Sequence, residues 1–220
     1  MSDRACESRR NEERNIEADL TQLPWVQAYL LLIGSVVPRP IAWVSSLSPE
    51  GIRNVAPFSF FNGVCAVPMI VTFAPMRFGS GNKKDSLANI ESSGEFVINI
   101  VTEPLIEAMA ATSEEYPSDV DEFVVAGLTA APSVAVRAPR IAESPINFEC
   151  KLRQVLHFGD TAGSGSLVVG EVVYLHVADR LIADGRVDPK LLQPVARMGG
   201  PLYARPELLD FKRRPSSLER

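Results

Sequence analysis

The chain has 220 residues, of which 46% are hydrophobic and 22% charged, so we expect one domain with a sizeable core and short extensions. A net charge of -5 disfavours nucleic acid as a partner. The charged opening has no apolar signal-peptide core, and the apolar stretch around Tyr29–Val37 is too short to span a bilayer, so we expect a cytoplasmic protein with no membrane partner. Cys6, Cys65 and Cys150 lack the spacing of a zinc site or a disulfide framework, and no metal is expected.

Charge and apolar patterning divide the chain into three parts. A charged arm is predicted over residues 1–20, one domain over 21–210, and a charged tail over 211–220. The domain contains short apolar, β-branched and aromatic runs separated by Gly, Pro, Ser or Asn: IAWVSSL, VAPFSFFN, MIVTFAP, EFVINIV, INFECKLRQVLHF and SLVVGEVVYLHVA. This pattern predicts a mainly β barrel or sandwich with short helices.

Two helical segments interrupt the strands. One is predicted to begin near Asp85 and to end at Gly94, and the second is PLIEAMAATSEEY, opened by Pro104. The segment 119–145 is rich in proline and small residues, so it is expected to pack over the barrel or against a partner.

The first candidate binding feature is a hairpin. A strand containing Ser45 and Ser46 runs into a turn at residues 48–51 and returns through Asn54 towards Ser59, which brings these small polar side chains together. Small polar groups beside exposed backbone suit a flat heteroaromatic ligand. The alternative is that they are ordinary strand-end and turn residues.

The second candidate feature follows at the start of the first predicted helix. Asn82, Lys83, Lys84, Asp85 and Ser86 combine helix amides, an ammonium group and a hydroxyl, which together suit a monophosphate. The alternative is helix capping by Asp85 with two solvated lysines.

The order of these segments resembles the flavin-reductase-like, FMN-binding split-barrel family. The similarity runs from about Tyr29 to Tyr203 and rests on RPIAWVSSLSPEGIRNVAPFSFFN, KKDSLANIESSGEFVINIV, DEFVVAGLT, SPINFECKL, GEVVYLHVAD and PVARMGGPLY. The resemblance implies a split β-barrel homodimer that binds FMN, with FAD less favoured, near the interface between its subunits.

The resemblance also assigns roles to residues. Those matching the ring and ribityl contacts are Ser45, Ser46, Asn54, Ala56, Pro57, Phe58 and Ser59. Those matching the phosphate segment are Lys84, Asp85 and Ser86. Arg197 and Tyr203 belong to a late family block that is expected to approach the flavin of one subunit or the other.

The remaining candidates each have two interpretations. Arg39, between two prolines, is expected either to face an anionic ligand or to form a structural ion pair. His157 is a weak candidate for a proton donor beside the ring, since a single strand histidine is more often structural. Trp43 is interpreted first as a core or interface anchor that could also border the flavin. A solvated face is expected for Glu114, Glu115, Asp119, Asp121 and Glu122.

Two functions follow from the resemblance. The first is an enzyme in which NAD(P)H delivers hydride to FMN and the reduced flavin serves a monooxygenase or another electron acceptor. The second is an FMN-binding electron-transfer module that does not itself oxidise NAD(P)H. Neither requires a catalytic side-chain base, because the flavin supplies the reactivity and the protein positions it.

Overall fold

The computed structural model describes residues 17–77, 79 and 81–209. The predicted N-terminal arm up to residue 16 and the predicted tail over 211–220 lie outside the described residues.

The described chain contains short helices and many strands, as the sequence predicts. The helices are α1 Trp25–Ser35, α2 Asp85–Ser93, α3 Ile106–Ala111, α4 Glu122–Val125 and α5 Pro189–Leu192. The longer strands are β1 Ala42–Leu47, β2 Arg53–Phe58, β3 Phe61–Ala66, β4 Met69–Phe73, β5 Glu95–Ile100, β8 Ile146–His157 and β9 Ser166–Val177. The two-residue strands are β6 Ala130–Ala131, β7 Arg140–Ile141, β10 Ile182–Ala183, β11 Arg186–Val187, β12 Ala196–Arg197 and β13 Tyr203–Ala204.

Seven strands form one antiparallel sheet in the order β2-β1-β5-β8-β9-β4-β3. The two outer strands, β2 and β3, are consecutive in the chain and are joined only by Ser59 and Phe60. Three Cα steps span at most about 11 Å, so the two edges of the sheet must approach each other. The sheet therefore curls into a barrel that is open between β2 and β3.

Both faces of the central strands are buried, but against different partners. Ala42 and Val44 of β1 point into the barrel, where Phe73, Phe96 and Leu87 pack with them. Side chains on the other face of β1 and β2 form a second cluster with α3, α4 and β7: Ile41, Trp43, Val55, Met109, Phe123 and Ile141. The segment 119–145 thus packs over the outside of the barrel, which is one of the two expected placements.

The structure differs from the sequence predictions in three respects. The run VAPFSFFN is not one strand, because the chain bends at Ser59 and Phe60 to cross from β2 to β3. The second helix ends at Ala111, since the hydroxyls of Thr112 and Ser113 donate to carbonyls of the preceding turn, on Met109 and Ala110. Helices α1, α4 and α5 were not predicted.

Among the described residues, no helix combines the length and the apolar character that a bilayer crossing requires.

Candidate functional site

A cavity of about 520 Å³ lies where the split of the barrel meets the start of α2. This volume is within the usual range for small-molecule and cofactor sites. The residues around it come from α1, the β2–β3 bend, the end of β4, the start of α2, the turn after α3 and α4: Tyr29, Ala56, Pro57, Phe58, Ser59, Phe60, Ala74, Met76, Gly79, Asn82, Lys83, Lys84, Asp85, Ser86, Thr112, Ser113, Glu114, Glu115, Tyr116 and Glu122.

The predicted hairpin forms one wall of this cavity. Strands β1 and β2 pair with Ser46 opposite Asn54, as the turn at residues 48–51 predicts. The wall itself is the later part of the hairpin, Ala56–Ser59, and it belongs to an edge strand of the sheet. An edge strand leaves backbone groups without sheet partners, which makes them available to a ligand.

Two of the predicted hairpin residues lie behind this wall. Ser45 is fully buried, donates to the carbonyl of Pro139 at 2.6 Å and accepts from Asn99. Ser46 is also fully buried and is bonded to Asn54 and Asn89. Neither serine lines the cavity.

The start of α2 forms the opposite wall, and it carries three of the predicted phosphate residues. Lys84 is the N-cap residue of α2, and its side chain forms no capping hydrogen bond. The predicted end of this helix at Gly94 is confirmed, because Gly94 adopts the left-handed conformation with φ 71°. Among the described residues, no acceptor receives the backbone N–H of Asp85 or Ser86. The ammonium of Lys84 lies 2.5 Å from Glu115 Oε1 on the turn after α3. This end of the cavity therefore offers helix amides and a positive charge.

Asn54 joins the two walls. Its Oδ1 accepts from the hydroxyl of Ser86 at 2.7 Å, and its Nδ2 donates to Oε2 of Glu122 at 2.6 Å. Asn54 is buried and does not line the cavity itself. Its side chain therefore fixes the position of two residues that do.

Glu122 is not part of a solvated acidic face, which corrects the interpretation from sequence. It is only 6% exposed, and its Oε2 also accepts the N–H of Val55 at 2.5 Å. Burial raises the pKa of Glu122 to about 7, a shift that the Val55 N–H opposes and the charges of Asp85 and Asp121 reinforce. Asp121 caps α4 and is paired with Arg53, so it too has a structural role.

Arg39 and Arg197 lie beside the cavity and not in its lining. The Arg39 guanidinium donates to the carbonyls of Ile33, Val36 and Met198, and its Nε donates to Ser59 at 3.2 Å. It therefore ties the end of α1 to the β2–β3 bend, in place of the predicted ion pair. The Arg197 guanidinium stacks on the ring of Tyr203 at 4.5 Å.

His157 and Trp43 are also absent from the lining. His157 is hydrogen-bonded to Ser166 at 2.9 Å and lies 3.1 Å from Glu91, near the far end of α2. Trp43 is fully buried and donates its indole N–H to Thr112, which agrees with the expected core anchor.

Several lining residues were not singled out from the sequence. They are Tyr29 of α1, the turn residues Thr112, Ser113 and Tyr116, Phe60 at the bend, and Ala74, Met76 and Gly79 after β4. The hydroxyl-rich sequence Thr112-Ser113 is a signal for a helix end, and it could have placed the turn. Tyr29 lies in a continuous apolar run that carries no comparable signal.

Within residues 17–77, 79 and 81–209, no group of three or more His, Cys, Asp or Glu side chains is arranged to hold a metal ion.

The fold and the cavity define a class: an antiparallel β-barrel with a ligand-sized cleft at its split. A family model described as flavin reductase like domain matches residues 33–199. The chain belongs to this family, and its fold is the split barrel that the sequence predicts.

Solved structures agree with this membership. Nitrilotriacetate monooxygenase component B from Bacillus cereus is 32% identical, with a TM-score of 0.85 over 90% of this chain and 99% of that one. The 2-nitrobenzoate 2-nitroreductase of Pseudomonas fluorescens is 35% identical, with a TM-score of 0.79 over 92% and 100% of the two chains. A Shewanella frigidimarina protein described as a flavin reductase with a split barrel domain is 23% identical, with a TM-score of 0.75 over 90% and 96%, which supports the fold alone.

Proposed function

We propose that this chain is an FMN-binding oxidoreductase that accepts hydride from NAD(P)H. The observation that carries the proposal is the cavity between Ala56–Ser59 and the start of α2, in a chain of the flavin reductase like family. The bound flavin supplies the redox chemistry, and the residues of this chain bind it, orient it and limit its exposure to water.

The start of α2 would hold the phosphate of FMN. The free amides of Asp85 and Ser86 and the ammonium of Lys84 are the donors that a phosphate group needs. The hydroxyl of Ser86 already donates to Asn54, so Ser86 would contribute its backbone N–H and not the side chain. A terminal monophosphate fits this short cluster, which is why FMN is favoured over FAD.

The β2–β3 bend would hold the ring system. Ala56, Pro57 and Phe58 offer small and apolar surface, and the edge-strand backbone offers polar contacts. Ser59 is held in place by Arg39, which is itself fixed by three carbonyls. In this account Arg39, Ser45, Ser46 and Asn54 support the site from behind.

His157 and Arg197 would contact a flavin only under additional conditions. Neither residue lines the cavity of the single subunit. Arg197 would reach a flavin only where a second subunit completes the site, and His157 would need a ligand that extends beyond the cavity.

A homodimer fits the exposed apolar surface of the single subunit. Large apolar side chains at least 37% exposed lie on α1, on β3 and the β3–β4 turn, and near the ends of β8 and β9: Leu30, Leu31, Leu32, Val64, Val67, Met69, Leu156, Phe158, Val173, Tyr174 and Leu175. Exposed apolar side chains in this number commonly mark an interface in a folded protein. A second subunit would remove it from water.

The two most similar solved structures named above suggest two candidate electron acceptors. The Bacillus cereus relative is a component of a monooxygenase, which favours delivery of reduced flavin to a partner oxygenase. The Pseudomonas fluorescens relative is a nitroreductase, which favours a second candidate, an aromatic nitro compound as the final acceptor.

Anaerobic mixing of the FMN-loaded protein with NADH or NADPH tests the proposal. Loss of the flavin absorbance at a rate that saturates with nicotinamide concentration is expected for the enzyme. Flavin that stays oxidised with both nucleotides, but is reduced by dithionite, would assign the chain to the electron-transfer alternative. Adding 2-nitrobenzoate to the reduced protein separates the two acceptor candidates, because only a nitroreductase reoxidises rapidly.

A further inference from the structure

Among the described residues, hydrogen-bond donors reach only one of the two carboxyl oxygens of Glu122. Its Oε2 receives both the Val55 N–H at 2.5 Å and Asn54 Nδ2 at 2.6 Å. Among the described residues no donor reaches Oε1, and the residue lines the cavity together with Lys84, Asp85 and Ser86. One oxygen is thus anchored to β2, and the other is available to a ligand.

Asn54 brings this carboxyl close to the expected phosphate position. A single amide side chain bridges Ser86 Oγ at 2.7 Å and Glu122 Oε2 at 2.6 Å. A dianionic phosphate at the start of α2 would therefore lie near a carboxyl that is 6% exposed. An ionised carboxylate there would repel the phosphate, whereas a protonated one would donate a hydrogen bond to it.

We propose that Glu122 is a phosphate-side binding residue that takes up a proton when FMN binds and donates from Oε1 to the ligand. This inference rests on the proposed function, because it needs a phosphate at the start of α2. It makes flavin affinity depend on pH through one residue of α4.

The charges around Glu122 favour the protonated form. Its pKa is raised to about 7, mainly by burial; Asp85 of α2 and Asp121 of α4 contribute to the rise, while the Val55 N–H and Lys84 oppose it. Arg53 of β2 is paired with Asp121, and Lys84 is paired with Glu115, so both nearby cations are partly engaged by other carboxylates. A bound phosphate dianion adds negative charge and would raise the pKa again.

The sign of the pH dependence follows from this proton uptake. Below pH 7 Glu122 is already protonated in the free protein and FMN binding costs no further protonation. Above pH 7 the proton must be taken from solvent, so the affinity falls by up to about ten-fold per pH unit. The phosphate has its second pKa at about 6, so it stays mainly dianionic above pH 7.

The test compares FMN affinity at pH 7, 8 and 9 in the wild type, Glu122→Gln and Glu114→Gln, with riboflavin as the ligand that lacks the phosphate. The wild type is expected to weaken as pH rises. The FMN affinity of Glu122→Gln is expected to stay constant from pH 7 to pH 9, because its amide accepts from Val55 and donates to the ligand at every pH. Glu114 lines the same cavity but is exposed, so Glu114→Gln is expected to retain the wild-type slope.

A second measurement does not depend on any variant folding. Calorimetric titration of the wild type at pH 8, in two buffers of different ionisation enthalpy, is expected to show net proton uptake with FMN and none with riboflavin. Equal pH slopes for wild type and Glu122→Gln, or equal proton uptake with riboflavin, would overturn the role of Glu122 while FMN binding stands. No FMN binding at any pH would overturn this role and the proposed function together.

Discussion

At the scale of single residues, the hydrogen-bonding capacity of Asn54 organises the cavity. Its carbonyl oxygen accepts from Ser86 and Ser46, and its amide donates to Glu122. One buried side chain therefore connects β1, α2 and α4. Networks of this type are most effective when every member has a partner, because an unpaired polar group inside a protein is costly.

Replacing Lys84 by alanine is predicted to weaken FMN binding by about 10- to 100-fold, because a charge-assisted hydrogen bond contributes about 1.5–3 kcal/mol. Its ammonium lines the cavity beside the free amides of α2. Isothermal titration with FMN measures the change.

Lys151→Ala is the matched control for this variant. Lys151 is exposed on β8 and does not line the cavity, so its loss removes the same charge from elsewhere on the surface. Equal FMN affinities for Lys84→Ala, Lys151→Ala and the wild type would remove Lys84 from the proposed phosphate site.

The sequence placed the walls of the site better than it placed the details. The turn sequence at residues 48–51 predicted the hairpin, and the helical spacing of Leu87 and Ile90 predicted the helix that begins near Asp85. Ala56, Pro57 and Phe58 were assigned only through the family resemblance. The burial of Glu122 depends on contacts with Asn54 and Val55, which are 68 and 67 positions away in the chain. No pattern near Glu122 records those contacts.

At the scale of elements, the apolar, β-branched and aromatic runs were the reliable signal. The runs EFVINIV, INFECKLRQVLHF and SLVVGEVVYLHVA contain β5, β8 and β9. Burial alternates only in the first half of β9, whereas the four inner positions of β5 are all buried. The bend between β2 and β3 was not predictable in the same way, since Ser59 and Phe60 continue an ordinary strand composition. Closure of the barrel, a property of the whole sheet, determines where that strand must break.

Helix α1 was missed for a related reason. Its sequence, WVQAYLLLIGS, is apolar on every side and lacks the polar face that identifies an amphipathic helix. Only Ile33 of this helix is buried in the single subunit. An apolar helix that covers little of its own core is expected to be covered by another surface, which agrees with the proposed dimer.

Gly170 is predicted to be required for the packing of β9 on β5. A Cβ atom at this position would lie 2.4 Å from Cζ of Phe96, which is fully buried in the barrel. Gly170→Ala should therefore lower the free energy of unfolding by about 1–3 kcal/mol through overpacking.

Urea unfolding measures this effect, and Gly63→Ala on β3 is the control. A Cβ atom at Gly63 would have no heavy atom within 4 Å. A Gly170→Ala protein as stable as Gly63→Ala would mean that Phe96 moves aside without cost, contrary to the close packing described.

At the scale of the whole molecule, the single subunit leaves large apolar side chains exposed on α1 and at the β3–β4 turn. Val67 is 93% exposed at the β3–β4 turn, and Leu30, Leu31 and Leu32 are about half exposed on α1. Burial of such surface contributes about 25 cal/mol per Å², enough to favour association when many residues take part.

Sedimentation equilibrium is predicted to give the mass of two chains at micromolar concentration. Dilution should release monomers that bind FMN less tightly. In a monomer, the segment around Arg197 and Tyr203 of a second subunit would no longer complete the flavin site. A monomer that binds FMN with the affinity of the concentrated protein would contradict the shared site.

The most direct test of the central claim is the chromophore itself. The visible spectrum of the purified protein is recorded first. The protein is then denatured, and any released compound is identified by its mass. Protein that carries no chromophore is reconstituted with FMN. We expect one FMN per subunit, either co-purified or bound on reconstitution, and held more weakly by Lys84→Ala. Protein that binds no FMN under either condition, or that binds FMN and riboflavin with equal affinity, would contradict a phosphate-binding cavity at the split of the barrel.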